Sequence, residues 1–310
     1  MSTGVAATTK GNRLTGLRRL STNMYQKIRP QFDAVLTWRP GIKDGAEIIL
    51  IAIALLIYYL VRGITQTHID DAINRGVDIV NLEKHLGIFW EVELQSWILS
   101  YSWMVKLLNG FYLFGHLPVI GAIAVWLYFW HKPQYLVMRN AFLLSGAIAL
   151  IFFVNFPTAP PRLLPHELGI GIVDTVVQQY HQGRPLTPSW FVNEYAAFPS
   201  MHIGWNLLVG IAVWMASRNF FVRAFAVLMP FMMFSDIILT GNHYIIDAIA
   251  GCIVMSLGLG LAFAGRALAR RIVSPKSKEA REKGWVGWLY WLCGVPEQPW
   301  RQQQPAAQTA

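Results

Sequence analysis

Two short runs in this chain hold histidines where apolar stretches begin. Phe198-Pro199-Ser200-Met201-His202 is followed about forty residues later by Gly241-Asn242-His243-Tyr244-Ile245-Ile246-Asp247. On a helix, His243 and Asp247 would share a face. The carboxylate would then fix the imidazole tautomer, raise the basicity of the other ring nitrogen and stabilise the imidazolium formed on attack. His202 follows a proline and Ser200, a good helix start and cap, so first-turn amides can face an anion and the His can protonate a leaving alkoxide. A third run, Phe156-Pro157-Thr158-Ala159-Pro160-Pro161-Arg162, makes a stiff exit from an apolar stretch and ends on a permanently charged fork suited to phosphate. The chemistry these residues suggest is nucleophilic and general-acid attack on a phosphate. Taken singly, each has a plainer reading: a helix-start His satisfied by a nearby Asp, a His facing headgroups, an interfacial Arg.

The elements that must position them are membrane helices. The chain has 310 residues, is 54% hydrophobic and only 14% charged, and its mean hydropathy is +0.38. A soluble protein carries about 25% charged residues. Six apolar stretches fit spans: Ala46–Val61, Val105–Trp130, Met138–Phe156, Ile203–Ala216, Val222–Thr240 and Tyr244–Ala264. The second is interrupted by Asn109, His116 and Pro118; the fourth is short and is expected to begin a turn earlier. Two further pieces read as interfacial helices. Thr67–Leu86 has Ile69, Ile73, Val77 and Val80 at helical spacing, with Gly87 as its cap, and Trp285, Trp288 and Trp291 recur every three residues. The fold class expected is therefore an all-α integral membrane protein. It is a six-helix transmembrane bundle with an outer interfacial helix and a short aromatic C-terminal one.

Charge orients that bundle. The net charge of +9 suggests nucleic acid only in a soluble protein; here twenty of the 26 Lys and Arg fall on one side of a six-span arrangement. The positive-inside rule makes that side, with both termini, cytoplasmic. Arg162, His202 and His243 then all fall on the extracytoplasmic face, although none of them was used to choose the orientation. The expected organisation is a basic, largely disordered tail over 1–45, a membrane catalytic domain over 46–264, and a basic and aromatic tail over 265–310. The last ten or so residues are also expected to be disordered. Cys252 and Cys293 are far apart and suggest neither a disulfide nor a metal site.

In their order and topological positions, the three runs resemble the type-2 phosphatidic acid phosphatase superfamily, over roughly Leu82 to Ala264. The resemblance implies metal-independent phosphotransfer through a phosphohistidine, with no cofactor. His243 would be the nucleophile, Asp247 its orienting partner, and His202 the acid and then the base. Arg162, Ser200, Asn242 and nearby backbone N–H groups would hold the phosphate. Four departures stand out. The family's usual Lys seven residues before the Arg is Asn155 here, and its Arg six residues before the second His is Ile237. Leu163 replaces a Pro, and Met201 a Gly. Two of three expected phosphate-binding cations are therefore missing, which favours a singly charged phosphodiester over a nearly dianionic monoester. Arg184 and His166, in the same outer loop, are able to compensate in part. The wording around the histidines, together with Tyr112-Leu113-Phe114-Gly115-His116-Leu117-Pro118, resembles the inositol-phosphotransferase branch.

Secondary candidates are Asp236, His116 and Tyr112. Asp236, Thr240 and His243 are spaced to share a helical face inside the membrane, where an acid is a functional candidate by default, with Asn206 a possible partner. His116 and Tyr112 sit near the outer end of span two, suited to headgroup contact or to packing. The sequence thus points to a multi-pass plasma-membrane lipid phosphotransferase. It would pass a phospho-headgroup, inositol phosphate among the candidates, from a phospholipid to a lipid or polyol alcohol, with no nucleic-acid partner. The alternatives are a lipid phosphate phosphatase on phosphatidate or polyprenyl (di)phosphate, and a non-catalytic transporter or scaffold on the same fold.

Overall fold

A computed structural model describes residues 41–64, 69–176, 194–272 and 284–296. The expected disorder of the two ends, and Arg184, lie outside the described residues. The chain divides into two units, Met1–Ala46 and Glu47–Ala310, and the boundary falls within the first turns of the first helix. In the first unit, Asp44 Oδ2 accepts from the Gly41 N–H at 2.8 Å as that helix opens.

Ten α-helices are described: α1 Ile42–Ile64, α2 Ile69–Leu86, α3 Glu91–Leu99, α4 Ser102–Gly110, α5 His116–Trp130, α6 Lys132–Asn155, α7 Met201–Ala216, α8 Phe220–Leu239, α9 Ile245–Ile272 and α10 Gly284–Leu292. A π-helical turn, Phe111–Gly115, joins α4 to α5. Among the described residues there is no strand, only an isolated Thr158–Ala196 bridge. Five stretches are long and apolar enough to cross a membrane: Ile42–Val61, Ser102–Trp130, Lys132–Asn155, Phe220–Leu239 and Ile245–Arg271. The sixth apolar helix, Met201–Ala216, is shorter, at 16 residues. Apolar side chains such as Phe231, Ile253 and Leu257 remain exposed on these helices, as a lipid-facing surface requires. Across its described residues the protein is all-helical, and its five long apolar helices make it a multi-pass membrane protein.

The core is built around α7. It packs against α6, α8 and α9, and α9 in turn lies along α6. Gly251 allows the closest approach, since a Cβ there would collide with the carbonyl of Ser200. Outside this bundle, Ala72, Ile79 and Val80 of α2 bury against Ala159, Leu164 and Tyr244. Helix α2 therefore covers the end of the bundle where α9 begins. It stops where the sequence expects: Ile88 N–H donates to Glu83 O at 2.9 Å across Gly87.

Several boundaries differ from the sequence reading, each for a local reason. The second span starts at Ser102 and runs to Trp130 because the interrupting residues stay within its helices: Asn109 is buried in α4 and donates to Thr175 O at 3.0 Å, and His116 and Pro118 fall in the first turn of α5. Helix α7 begins at Met201, two residues before the apolar run and not a full turn. Helix α9 continues past Ala264 to Ile272, into the segment assigned to the tail. Its basic last turn, with Arg270 and Arg271, suits a helix C-terminus. Helix α6 begins at Lys132, ahead of the expected Met138, so Arg139 sits well inside it and is 3% exposed. Its Nη1 donates to Glu47 Oε2 at 2.7 Å, and its Nη2 donates to the Trp291 carbonyl at 2.6 Å. Trp291 Nε1 and Tyr135 OH donate to the same Glu47 carboxylate. A burial cost that hydropathy counts against a span is thus met by one ion pair and a ring of donors, which fasten α10 to the bundle.

Candidate active site

The three runs meet at one end of the bundle, held by backbone hydrogen bonds between them. Thr158 N–H donates to Tyr195 O at 2.7 Å and Ala197 N–H to Thr158 O at 3.1 Å, tying the exit of α6 to the approach to α7. Arg162 N–H donates to Gly241 O at 3.0 Å, and Ser200 N–H to Asp247 O at 3.0 Å. Gly241 has φ of 69°, a left-handed conformation that glycine adopts without strain, and it turns the chain from α8 towards His243.

His243 lies in that turn, just before α9 begins, and Asp247 in the first turn of the helix. The pair is therefore not two positions on one helical face, as the spacing suggested; it bridges a turn and a helix start. His243 Nδ1 lies 3.2 Å from Asp247 Oδ2, which also accepts from the Tyr244 N–H at 3.1 Å. Asp247 is fully buried and His243 is 3% exposed. His202 enters from the first turn of α7, and its Nδ1 is 3.1 Å from His243 Nε2. With Asp247 Oδ2 accepting from His243 Nδ1–H, Nε2 carries the lone pair and His202 Nδ1–H is the donor between the two rings. Asp247, His243 and His202 thus form one hydrogen-bonded line.

Tyr112 and His116 flank that line. The Tyr112 ring stacks on His202 at 4.6 Å between centroids, and the His116 ring is 4.8 Å from His202. His116 Nδ1 meets Tyr112 O at 2.9 Å. The π-turn presents both, as such turns often do at functional sites.

Arg162 reaches the same loop. Its Nε donates to Asn242 Oδ1 at 2.9 Å, and Asn242 Nδ2 donates to Thr240 Oγ1 at 2.7 Å. Its Nη1 is paired with Asp174 Oδ2 at 2.7 Å, and Nη2 lies 3.8 Å from Glu194 Oε1. Asp174 is held in place by its own bond from Val176 N–H and by Gln95, which exchanges two hydrogen bonds with Val173. The positions of the missing cations hold an amide and an aliphatic side chain. Asn155 donates to Ile151 O on its own helix, and Ile237 is fully buried among apolar neighbours. His166 is exposed.

Two residues occupy their expected places but make different contacts. Ser200 is at the N-cap position of α7, yet its hydroxyl makes no capping bond and is buried with no partner. Asp236 does not share a helix with His243, because α8 ends at Leu239. Both its carboxyl oxygens are buried without partners. Asn206 donates to His202 O at 2.7 Å.

Four residues at the site lie outside the three runs and were not singled out by the sequence: Asp174, Glu194, Glu83 and Glu91. Glu91 Oε1 accepts from the Ile245 N–H at 2.9 Å and Glu83 Oε1 from the Ile246 N–H at 2.7 Å. A signal for Glu83 existed: it falls one turn beyond Val80 on the apolar stripe of α2, where a charge needs a buried partner. Among the described residues, no group of three or more His, Cys, Asp and Glu side chains is arranged to hold a metal ion.

The family profile of the PAP2 superfamily matches residues 77–261, from α2 to α9, and so takes in all three runs. The chain belongs to the PAP2 superfamily. That membership carries a lipid function of the phosphatase or phosphotransferase type. No curated protein and no solved structure gave a match.

Proposed function

We propose that this PAP2-superfamily protein is a lipid phosphotransferase that moves a phospho-headgroup from a phospholipid to an alcohol through a phosphohistidine. His243 Nε2 attacks phosphorus while Asp247 accepts from Nδ1–H and stabilises the positive charge that develops on the imidazole. The bond from phosphorus to the leaving oxygen breaks as His202 delivers a proton to that oxygen. The acceptor alcohol then loses its proton to His202 and attacks the phosphohistidine, releasing His243. Arg162, Asn242 and the amides at the start of α7 stabilise the nonbridging oxygens, and Tyr112 and His116 hold the His202 ring in its working orientation. Asp236, buried beneath the site, is a candidate to contact a polyol headgroup. The site lies on the extracytoplasmic face of the plasma membrane, with both ends of the chain cytoplasmic.

One observation carries the preference for a phosphodiester: Arg162 is already paired with Asp174. A site whose motif cation is half neutralised by a fixed carboxylate favours a singly charged phosphate over a dianion. A groove of about 510 Å³ supports a lipid substrate. It is lined by Ile203, Phe234, Ala248, Cys252 and Ser256. Ile203 and Ala248 follow His202 and Asp247 in sequence, and Ala248, Cys252 and Ser256 carry the groove along α9 at four-residue spacing.

The test uses purified protein in detergent. One arm supplies phosphatidylinositol with a ceramide or diacylglycerol acceptor; the other supplies phosphatidate or a polyprenyl diphosphate. Headgroup transfer in the first arm, with acid-labile phosphate on His243, is expected. Free phosphate from a monoester as the dominant product overturns the transferase in favour of a phosphatase.

A further inference from the structure

The first backbone amides of α9 hold the loop that carries His243, and each of them ends on a carboxyl group. Tyr244 N–H goes to Asp247, Ile245 N–H to Glu91 and Ile246 N–H to Glu83. Glu83 arrives from α2 and Glu91 from α3, and both are 0% exposed. Each uses only one oxygen in this way. Glu83 Oε2 and Glu91 Oε2 are buried and have no donor. Two orphaned carboxylate oxygens, buried together beside a third carboxylate, would each cost the free energy of desolvation and would repel one another. The two carboxyl groups also lie within hydrogen-bonding reach of each other. A single proton held between the two orphaned oxygens satisfies both at once.

We propose that Glu83 and Glu91 share one proton, and that this carboxyl–carboxylate pair is the clamp that holds the start of α9, and with it His243, in register with His202. One ionised oxygen remains to favour the positive end of the α9 dipole, while the shared proton keeps the pair from carrying two charges. The groups facing the pair are Asp247 and Tyr244 from the start of α9, with His243 bonded to Asp247. Tyr244 is directed away, its hydroxyl donating to Ala159 O. These residues position the nucleophile; they do not touch substrate.

Burial, and then the neighbouring Glu91, push Glu83 up to about 9. The unfolded carboxyl titrates near 4.5, so between the two values the folded protein holds a proton that the unfolded chain does not. The pair's contribution to stability is therefore complete below about 4.5, declines as pH rises, and levels off above about 9.

The experiment compares wild type with Glu83→Gln and Glu83→Ala, reading thermal unfolding in detergent and the ratio of activities at pH 8 and pH 10. The amide of Glu83→Gln keeps an acceptor for Ile246 and a donor for Glu91 but has no proton to lose. Wild type is expected to lose midpoint temperature relative to Glu83→Gln as pH approaches 9. The activity of wild type divided by that of Glu83→Gln is expected to fall about tenfold between pH 8 and pH 10, because the reaction's own acid and base are common to both proteins and cancel in that quotient, leaving the one group that titrates near 9. Glu83→Ala unfolds below both at every pH. The activity arm rests on the phosphohistidine reading, whereas the unfolding arm does not. Lack of transfer or hydrolysis in all three proteins would sink that reading and leave the clamp to be judged by unfolding. Parallel midpoint-against-pH curves for wild type and Glu83→Gln would overturn the clamp.

Discussion

His202 Nδ1 lies 3.1 Å from His243 Nε2, so the two imidazoles are hydrogen-bonded directly to one another. A phosphorus atom does not fit between nitrogens at that separation. In the proposed mechanism substrate binding therefore parts them, and His202 transfers its bond from His243 to a substrate oxygen. The proposed division of labour follows: the lone pair exposed on Nε2 attacks, and the proton left on His202 meets the leaving group.

Removing His202 should accordingly depend on the leaving group. General acid catalysis contributes about 10²–10⁴-fold for a poor leaving alkoxide and much less for a good one. His202→Ala is expected to lose most of its activity on a phospholipid and far less on a nitrophenyl phosphodiester. His243→Ala should lose activity on both. Equal losses on both substrates in His202→Ala would remove its role as the acid.

The 2.7 Å pair between Arg162 and Asp174 makes a prediction about charge selection. Asp174→Asn frees the guanidinium for a second phosphate charge. Phosphomonoester turnover should rise relative to phosphodiester turnover, by severalfold in kcat/KM. An unchanged ratio would mean that Asp174 does not set substrate charge.

Gly251 offers a test of how the second and third runs are joined. A Cβ there collides with the Ser200 carbonyl, next to the bond from Ser200 N–H to Asp247 O. Overpacking of this kind costs about 1–3 kcal/mol. Gly251→Ala should lower the unfolding midpoint in detergent and reduce kcat, because the shift separates His202 from His243. Wild-type stability and kcat would show that the helices can slide apart without consequence.

At the other end of the bundle, Glu47 and Arg139 are each 3% exposed and fasten α10 through Trp291. Breaking one partner of a buried pair costs about 3–5 kcal/mol. Arg139→Ala should destabilise the protein and speed labelling of Cys293, which follows α10. Glu47→Gln with Arg139→Gln together should cost less than the sum of the single changes. Unaltered Cys293 labelling would show that α10 is held by its apolar face alone.

How legible was the site? His202, His243, Asp247 and Arg162 could be read from the sequence because each sits at an end of an apolar run, where local pattern marks it. Tyr112 and His116 were read as suited to headgroup contact or packing, and only the fold shows that both rings lie against His202. Glu83 was marked only as an acid on the apolar stripe of α2, and nothing in the local pattern marked Glu91 or Asp174. Their partners, Ile246, Ile245 and Arg162, are 163, 154 and 12 residues away.

By itself, the sequence determined that the chain is helical, that it belongs in a membrane, and which residue types are able to attack and protonate a phosphate. Those properties depend on composition and on spacings within a single helix or turn, so they survive without any knowledge of packing. The tertiary structure alone decided that His243 stands outside the helix carrying Asp247, that Arg162 meets the loop already paired with Asp174, and that two distant glutamates close the start of α9. Such facts depend on which backbone amides are left unsatisfied where a helix begins and on which side chains the fold brings there. A buried donor needs an acceptor from any part of the chain that can reach it, and sequence distance places no limit on that choice.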